Sequence, residues 1–197
     1  MSSKFMAFVM ASCIATTAFG AKKPDKPEVW AQEPDSFMGI KLGGDIIYDL
    51  PECPQLSPGQ DPKNLCREKS YITNFYGIKG LPQLGLTYFY SLNAMLMDGR
   101  IEYLYLSGST NDFEKAKEMF ISKYGRPSTS TVQPVKTKAG ASFGNDVLIW
   151  KGQKVTISLT RYSDDINTFG ASVSNNDVAA SAANKKAAKA IDGASKL

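Results

Sequence analysis

Apolar and polar residues alternate on both sides of Asp98-Gly99, from about Leu86 to Leu106, and the alternation predicts a β-hairpin. An Asp-Gly pair tolerates the positive φ angles of a tight two-residue turn, so the turn sets the register. Counted outward from it, Leu96 faces Ile101, Ala94 faces Tyr103 and Leu92 faces Tyr105, with Tyr90 beyond. The other side pairs Met97 with Arg100, Met95 with Glu102, Asn93 with Leu104 and Ser91 with Leu106. The first side is apolar throughout and the second is mixed, as expected of an antiparallel ribbon with one face in the core and one partly wet.

The period then changes. Phe113, Ala116, Lys117, Phe120, Ile121 and Tyr124 fall at helical spacing and predict a helix from Asn111 to Tyr124. Asn111 is the candidate N-cap, Glu114 would complete a capping box, and Gly125 followed by Pro127 ends the helix. Residues 128 to about 145, rich in Ser, Thr, Gly and Lys, read as a loop. Val147 to Thr160 predicts a second hairpin turned at Gly152-Gln153, pairing Trp150 with Val155 and Leu148 with Ile157, with Leu159 on the same side. Phe169, Ala171 and Val173 alternate with Gly170, Ser172 and Ser174 and predict one more strand.

The flanks are less regular. Phe37, Met38, Ile40 and Leu42 start a short apolar segment, an edge strand or a strip lying across the core, and Tyr71 to Tyr76 is a mixed aromatic stretch of either type. Residues 21–36, with Pro24, Pro27 and Pro34 among lysines, read as an extended lead-in. From 176 to 197 the chain is rich in Ala and Lys, which favours a frayed helix or a disordered tail because little in it is bulky enough to bury. The expected fold class is therefore α+β in two layers. An antiparallel sheet of two β-hairpins plus one or two further strands carries one main helix on one face, in a single domain over residues 37–175.

The N-terminus is patterned differently again. One cation, Lys4, precedes an uncharged apolar run from Phe5 to Phe19, and Lys22 and Lys23 close it before it reaches the about 20 residues that a membrane span needs. This reads as a signal peptide over residues 1–20, with Ala18-Phe19-Gly20 at the cleavage site and a periplasmic or secreted mature chain without a transmembrane segment. The rival reading is a lipoprotein anchored through Cys13 after Met10-Ala11-Ser12.

An exported context changes the meaning of the cysteines. Of three in the chain, Cys53 and Cys66 remain after processing, and they bracket a loop with Pro54, Pro58, Gly59 and Pro62, so a disulfide between them is expected. A zinc site is not, since two thiolates in a chain without histidine fall short of the usual four ligands. The absence of histidine also excludes histidine-dependent Ser or Cys triads. The net charge of +4 is spread among acids without a basic stripe, so no nucleic-acid partner is expected.

The remaining candidates for chemistry are sparse. Ser122-Lys123 and Lys69-Ser70 are weak dyads, because neighbouring residues point in different directions. Asp164-Asp165 is an adjacent carboxylate pair in a turn, Asp45 and Asp49 flank a short apolar run, and Gly43-Gly44 and Gly77/Gly80 lack the lysine of a phosphate cradle. The reading is of no catalytic, metal or cofactor site.

Tyr88, Phe89 and Tyr90 run consecutively, so neighbours among them face opposite ways. On the register above, Phe89 joins Met95, Leu104 and Leu106 on the wetter side as an exposed apolar patch that receives a partner, unless the 37–42 or 71–76 segment covers it. The expected function is thus an exported, non-catalytic envelope protein that binds a macromolecular partner, protein or cell-envelope component. The alternatives are a histidine-free hydrolase using Asp164 and Asp165, and a secreted inhibitor or immunity-type protein.

Overall fold

The structure, a computed structural model, describes residues 29–137 and 140–196. The signal peptide read in residues 1–20, its Cys13 alternative and the start of the lead-in lie outside the described residues. Strands β1 (Ser36–Phe37) and β2 (Ile40–Lys41) form a small hairpin, followed by a short helix α1 (Ile46–Asp49) capped by the Asp45 carboxylate, which accepts the Ile47 N–H at 2.9 Å. Then come β3 (Cys66–Lys69), β4 (Phe75–Lys79), β5 (Tyr90–Met97), β6 (Arg100–Ser109), α2 (Phe113–Tyr124), β7 (Thr129–Lys136), β8 (Ser142–Lys151), β9 (Val155–Thr160), β10 (Thr168–Asn175) and α3 (Asn176–Ala194).

The class is α+β, and the sheet is larger than two hairpins and a strand. Eight strands pair antiparallel in the order β3-β4-β5-β6-β10-β9-β8-β7, so two four-strand meanders, each followed by a helix, meet at the β6-β10 seam. The Ser/Thr-rich run after Arg126 is β7 and the start of β8, not a loop: Thr129, Thr131, Val132 and Val135 are β-branched, and pairing with β8 supplies their backbone partners. A single covering helix is likewise not what forms, because α3 is a second one.

One face of the sheet carries Ile78, Leu92, Ala94, Leu104, Leu106, Trp150, Ile157, Leu159, Ala171 and Val173, all buried. Against them α2 places Phe113, Ala116, Phe120 and Tyr124, and the β1-β2-α1 segment places Phe37, Ile40, Leu42 and Ile46 across the same core. The described end of the lead-in is anchored at Trp30 and Glu33. The Trp30 indole N–H donates to the Tyr124 carbonyl at 2.8 Å, and the Glu33 carboxylate accepts the Val155 N–H at 2.7 Å in the β8-β9 turn.

The helix start differs from the expected capping box. Ser109, not Asn111, caps a 3₁₀ turn over Thr110–Asp112 that leads into α2. Glu114 is drawn instead to Arg161, which also donates to Asp146 at 2.6 Å and lies over the Phe113 ring at 4.3 Å. That guanidinium holds the Glu114 carboxyl below its usual range. At the other end Gly125 ends the helix as read, at φ 76° with its N–H on the Ile121 carbonyl.

The 176–197 stretch forms a helix whose start is anchored. Asn175 caps it by accepting the Val178 N–H at 3.0 Å, Val178 and Ala182 are buried, and Lys185 and Lys186 pair with Asp98 and Glu102. Residues 183–196 are exposed.

Both sheet edges are blunted. Beyond β3 the chain 51–53 supplies partners, with the Cys53 N–H on the Arg67 carbonyl at 3.0 Å and the Arg67 N–H on the Pro51 carbonyl at 2.9 Å. At the β7 edge, the Thr137 N–H bonds the Ala141 carbonyl at 2.9 Å and closes the ladder. Alternate residues Val135, Gln133 and Thr131 therefore turn their backbone groups to β8, while Lys136, Pro134, Val132 and Ser130 turn theirs outward. Pro134 brings no N–H to that row, which interrupts it as a template for another strand. The Pro134→Thr variant is expected to self-associate more steeply with concentration than the wild type in sedimentation velocity; identical profiles would show that the proline does not guard the edge.

Among the described residues one buried side-chain group lacks a partner. The Tyr124 hydroxyl is enclosed without a hydrogen bond, and burial pushes its pKa up to about 12. Because the folded value lies above the ordinary tyrosine value near 10, its contribution to stability is intact below about pH 10 and is lost as pH rises toward 12. Tyr124→Phe removes both the orphan and this alkaline sensitivity. It is expected to be more stable by about 1 kcal/mol at neutral pH, with the gap widening above pH 10 in thermal unfolding.

Candidate functional site

The four residues nominated as a patch do not share a surface. Leu104 and Leu106 are 0% and 2% exposed, in the core, while Phe89 is fully exposed just before β5 and Met95 is half-buried on the second face, opposite Phe75 and Tyr103. The cause is a β-bulge. Leu96 pairs Ile101, but Met95 pairs Tyr103, so Glu102 is an extra residue on β6 and every later partner moves by one. Ala94 then faces Leu104 and Leu92 faces Leu106, which turns both leucines inward and sends Tyr103 and Tyr105 to the second face.

The carboxylates of the hydrolase alternative are occupied in shaping their turn. Asp165 accepts the Asn167 N–H at 2.8 Å, and Asp164 lies 3.3 Å from the Tyr105 hydroxyl, which is itself 2.5 Å from the Ser163 hydroxyl. Burial raises the Tyr105 pKa and Asp164 adds to it against the Ser163 bond, so this phenol donates and does not act as a base near neutrality. Asp45 is spent on the α1 cap and the Ser70 hydroxyl accepts the Ile72 N–H at 3.2 Å.

Cys53 and Cys66 are joined in a disulfide, as the sequence indicated, with Cα atoms 4.9 Å apart. The loop that it closes surrounds a cleft of about 830 Å³ lined by Pro54, Leu56, Pro62 and Leu65 among others. No aromatic side chain lines it, and its walls belong to the single segment 51–66.

A smaller groove, about 340 Å³, is built from several elements. Phe89 and Tyr90 flank it, Ser91 comes from β5, Ser107 and Ser109 from β6, and Thr168 from β10. The pairing of Ser91 with Ser107 and of Thr168 with Ser109 puts these hydroxyls on the face away from Leu106 and Ala171.

The segment that carries Phe89 is tied down at successive points. Asp112 is 4% exposed and its carboxylate accepts the Thr87 N–H at 3.0 Å and the Tyr88 N–H at 2.8 Å. Lys115 donates to the Gly85 carbonyl, the Tyr90 hydroxyl donates to the Pro82 carbonyl, and Leu81 and Leu86 pack against the core. Burial alone would raise the Asp112 pKa, but the Tyr88 and Thr87 N–H groups, the Thr87 hydroxyl and the Lys115 charge outweigh it and hold the carboxyl below its ordinary range. Asp112 was missed in sequence because the string Thr110-Asn111-Asp112 before a helix reads as a local cap, whereas its partners lie some 25 residues back. The run of three aromatics was the available signal for the other half of the site.

Compared with family models, with curated proteins and with solved structures, the chain has no match in any of the three.

Proposed function

We propose that this chain is an exported, non-catalytic binding module that engages a macromolecular partner of the cell envelope through the Phe89 end of its sheet. The observation that carries the reading is the contrast at that end. Phe89 is fully exposed, yet the backbone just before it is fixed by a buried carboxylate and the loop around it by further bonds. An aromatic ring held in water adds nothing to the core, and pre-ordering it lowers the entropy lost when a partner covers it.

Export is supported by the leader pattern and by the disulfide, a bond that persists in oxidising compartments. Among the described residues no helix is long and apolar enough to cross a membrane.

The test is co-sedimentation of purified protein with envelope fragments of the producing cell. Phe89→Ala is expected to weaken binding about tenfold or more, the effect of truncating an aromatic anchor, with unchanged circular dichroism because the ring makes no core contact. Equal binding by wild type and variant would rule out this end of the sheet.

A further inference from the structure

We infer that the groove beside Phe89 takes an uncharged saccharide, as one segment of a neutral polysaccharide chain; the inference rests on the binding-module reading and names its ligand. The lining chemistry selects this class. Four hydroxyls, those of Ser91, Ser107, Ser109 and Thr168, converge from three neighbouring strands. Ser91 and Ser107 are 2.9 Å apart and share one proton, leaving the other to donate outward, and Ser109 accepts the Asn111 N–H at 3.3 Å while its own proton is free. The floor thus offers donors and acceptors together, which is what a sugar ring with its hydroxyls presents in return.

Two further features narrow the choice. Among the described residues no charged side chain lines the groove, so an anionic or cationic ligand would leave its water without a counter-charge to meet it. An apolar peptide segment would bury those hydroxyls unpaired, at a penalty for each. The Phe89 ring stands at the rim with its face available, and the negative face of an aromatic ring attracts the polarised C–H bonds on the flat side of a pyranose. At about 340 Å³ the groove is a shallow depression open to solvent, which suits a ligand that lies along the surface.

The same face continues as a polar row. Asn93 pairs Tyr105, Tyr105 pairs Ser172, and Ser172 pairs Ser158, so an amide, a phenol and two hydroxyls cross four strands one step from the groove. Gly170 makes room for the Tyr105 and Ser163 hydroxyls, which fill the space a side chain there would take: a Cβ would lie 2.5 Å from the first and 2.7 Å from the second. The Tyr105 hydroxyl is taken up by Ser163 and Asp164, so a chain of sugars seated at Phe89 finds its further partners in Asn93, Ser172 and Ser158, which favours a polymer over a single sugar.

The experiment is native gel electrophoresis of the full mature protein with glycogen, a soluble β-glucan or glycol chitin cast in the gel. Wild type is expected to be retarded by at least one of these neutral polymers. Phe89→Ala should lose about tenfold or more of the affinity, and Thr168→Val, which keeps the shape and removes one hydroxyl, should lose several-fold. Tyr71→Ala, an exposed aromatic elsewhere, should be retarded like wild type. No retardation in any gel, or retardation indifferent to Phe89→Ala, overturns the inference. Envelope fragments treated with protease separate the two levels. If Phe89-dependent sedimentation is abolished by protease, the ligand is a protein, so the saccharide inference fails and the binding module stands. If sedimentation never depends on Phe89, both fail.

Discussion

Replacing both cysteines, as Cys53→Ala/Cys66→Ala, is expected to lower the unfolding free energy by about 3 kcal/mol, the loop-closure entropy of a ring of this length. The segment it closes has little else to order it. Within 54–65 only Leu65 packs against the core, while Pro54, Leu56 and Pro62 line an open cleft. Its tightest fit to the sheet is at Gly80, where a Cβ would lie 2.0 Å from the Asn64 carbonyl oxygen. The bond also holds the cap of the β3 edge, since Cys53 belongs to the 51–53 strip and Cys66 to β3 itself. Arg67 reinforces the strip by donating to the Leu50 carbonyl at 3.1 Å and pairing with Glu52, but that pair is partly exposed and screened. Urea denaturation of the variant, and of wild type with and without reductant, measures the effect. Coincident curves for oxidised wild type and the double variant would mean that the ring is ordered without its bridge.

How far the sequence discloses this fold depends on what a small register error does. In the second hairpin the expected partners were Trp150 with Val155 and Leu148 with Ile157, and the structure pairs Trp150 with Ile157 and Leu148 with Leu159. The shift is two residues, a full period of the strand, so all four apolar side chains still face the core. The turn stays two residues long and moves one position on, to Gln153-Lys154, with the Gly152 N–H on the Val155 carbonyl at 2.9 Å. In the first hairpin the Asp98-Gly99 turn and its nearest pairs are as read, with both residues at positive φ, yet the single extra residue Glu102 inverts everything beyond. No local signal marks that bulge. Leu104 and Leu106 go inward because the sheet continues to β10, where Val173 and Ala171 face them, and that contact is remote in sequence.

The same division applies to the site. Helix α2, its glycine terminus, the disulfide and the β10 strand follow from short-range patterns and were legible. The edge role of β7, the packing of Trp30 and Glu33, and the hold of Asp112 on residues 87 and 88 are tertiary, and residue types alone do not announce them. Phe89 was nominated for being aromatic on the wet side of a ribbon. It is exposed for a different reason: the chain reaches it from a loop already bonded in place.

Removing that hold should have a large and localised effect. Asp112→Ala is expected to lose about 2–3 kcal/mol of stability, because two N–H groups lose a charged acceptor and hydrogen bonds to ionised groups are worth about 1.5–3 kcal/mol. Asp112→Asn retains one acceptor oxygen without the charge and should lose about half as much. The sign of the pH dependence follows from the depressed carboxyl. Its stabilisation is complete above the ordinary aspartate value near 4 and disappears as pH falls through the lower folded value, so wild type and Asp112→Asn should converge in acid and reach their full difference by about pH 4. Hydrogen exchange separates this from general destabilisation. The amides of residues 87–90 should lose protection in Asp112→Asn at neutral pH while those of Leu148, Ile157 and Leu159 in the sheet keep theirs. Phe89 remains chemically intact in this variant, so weakened binding to envelope fragments would come from its pre-ordering alone. Binding as strong as wild type, with the loop shown to be loosened, would separate the carboxylate from recognition and leave it a purely structural tie.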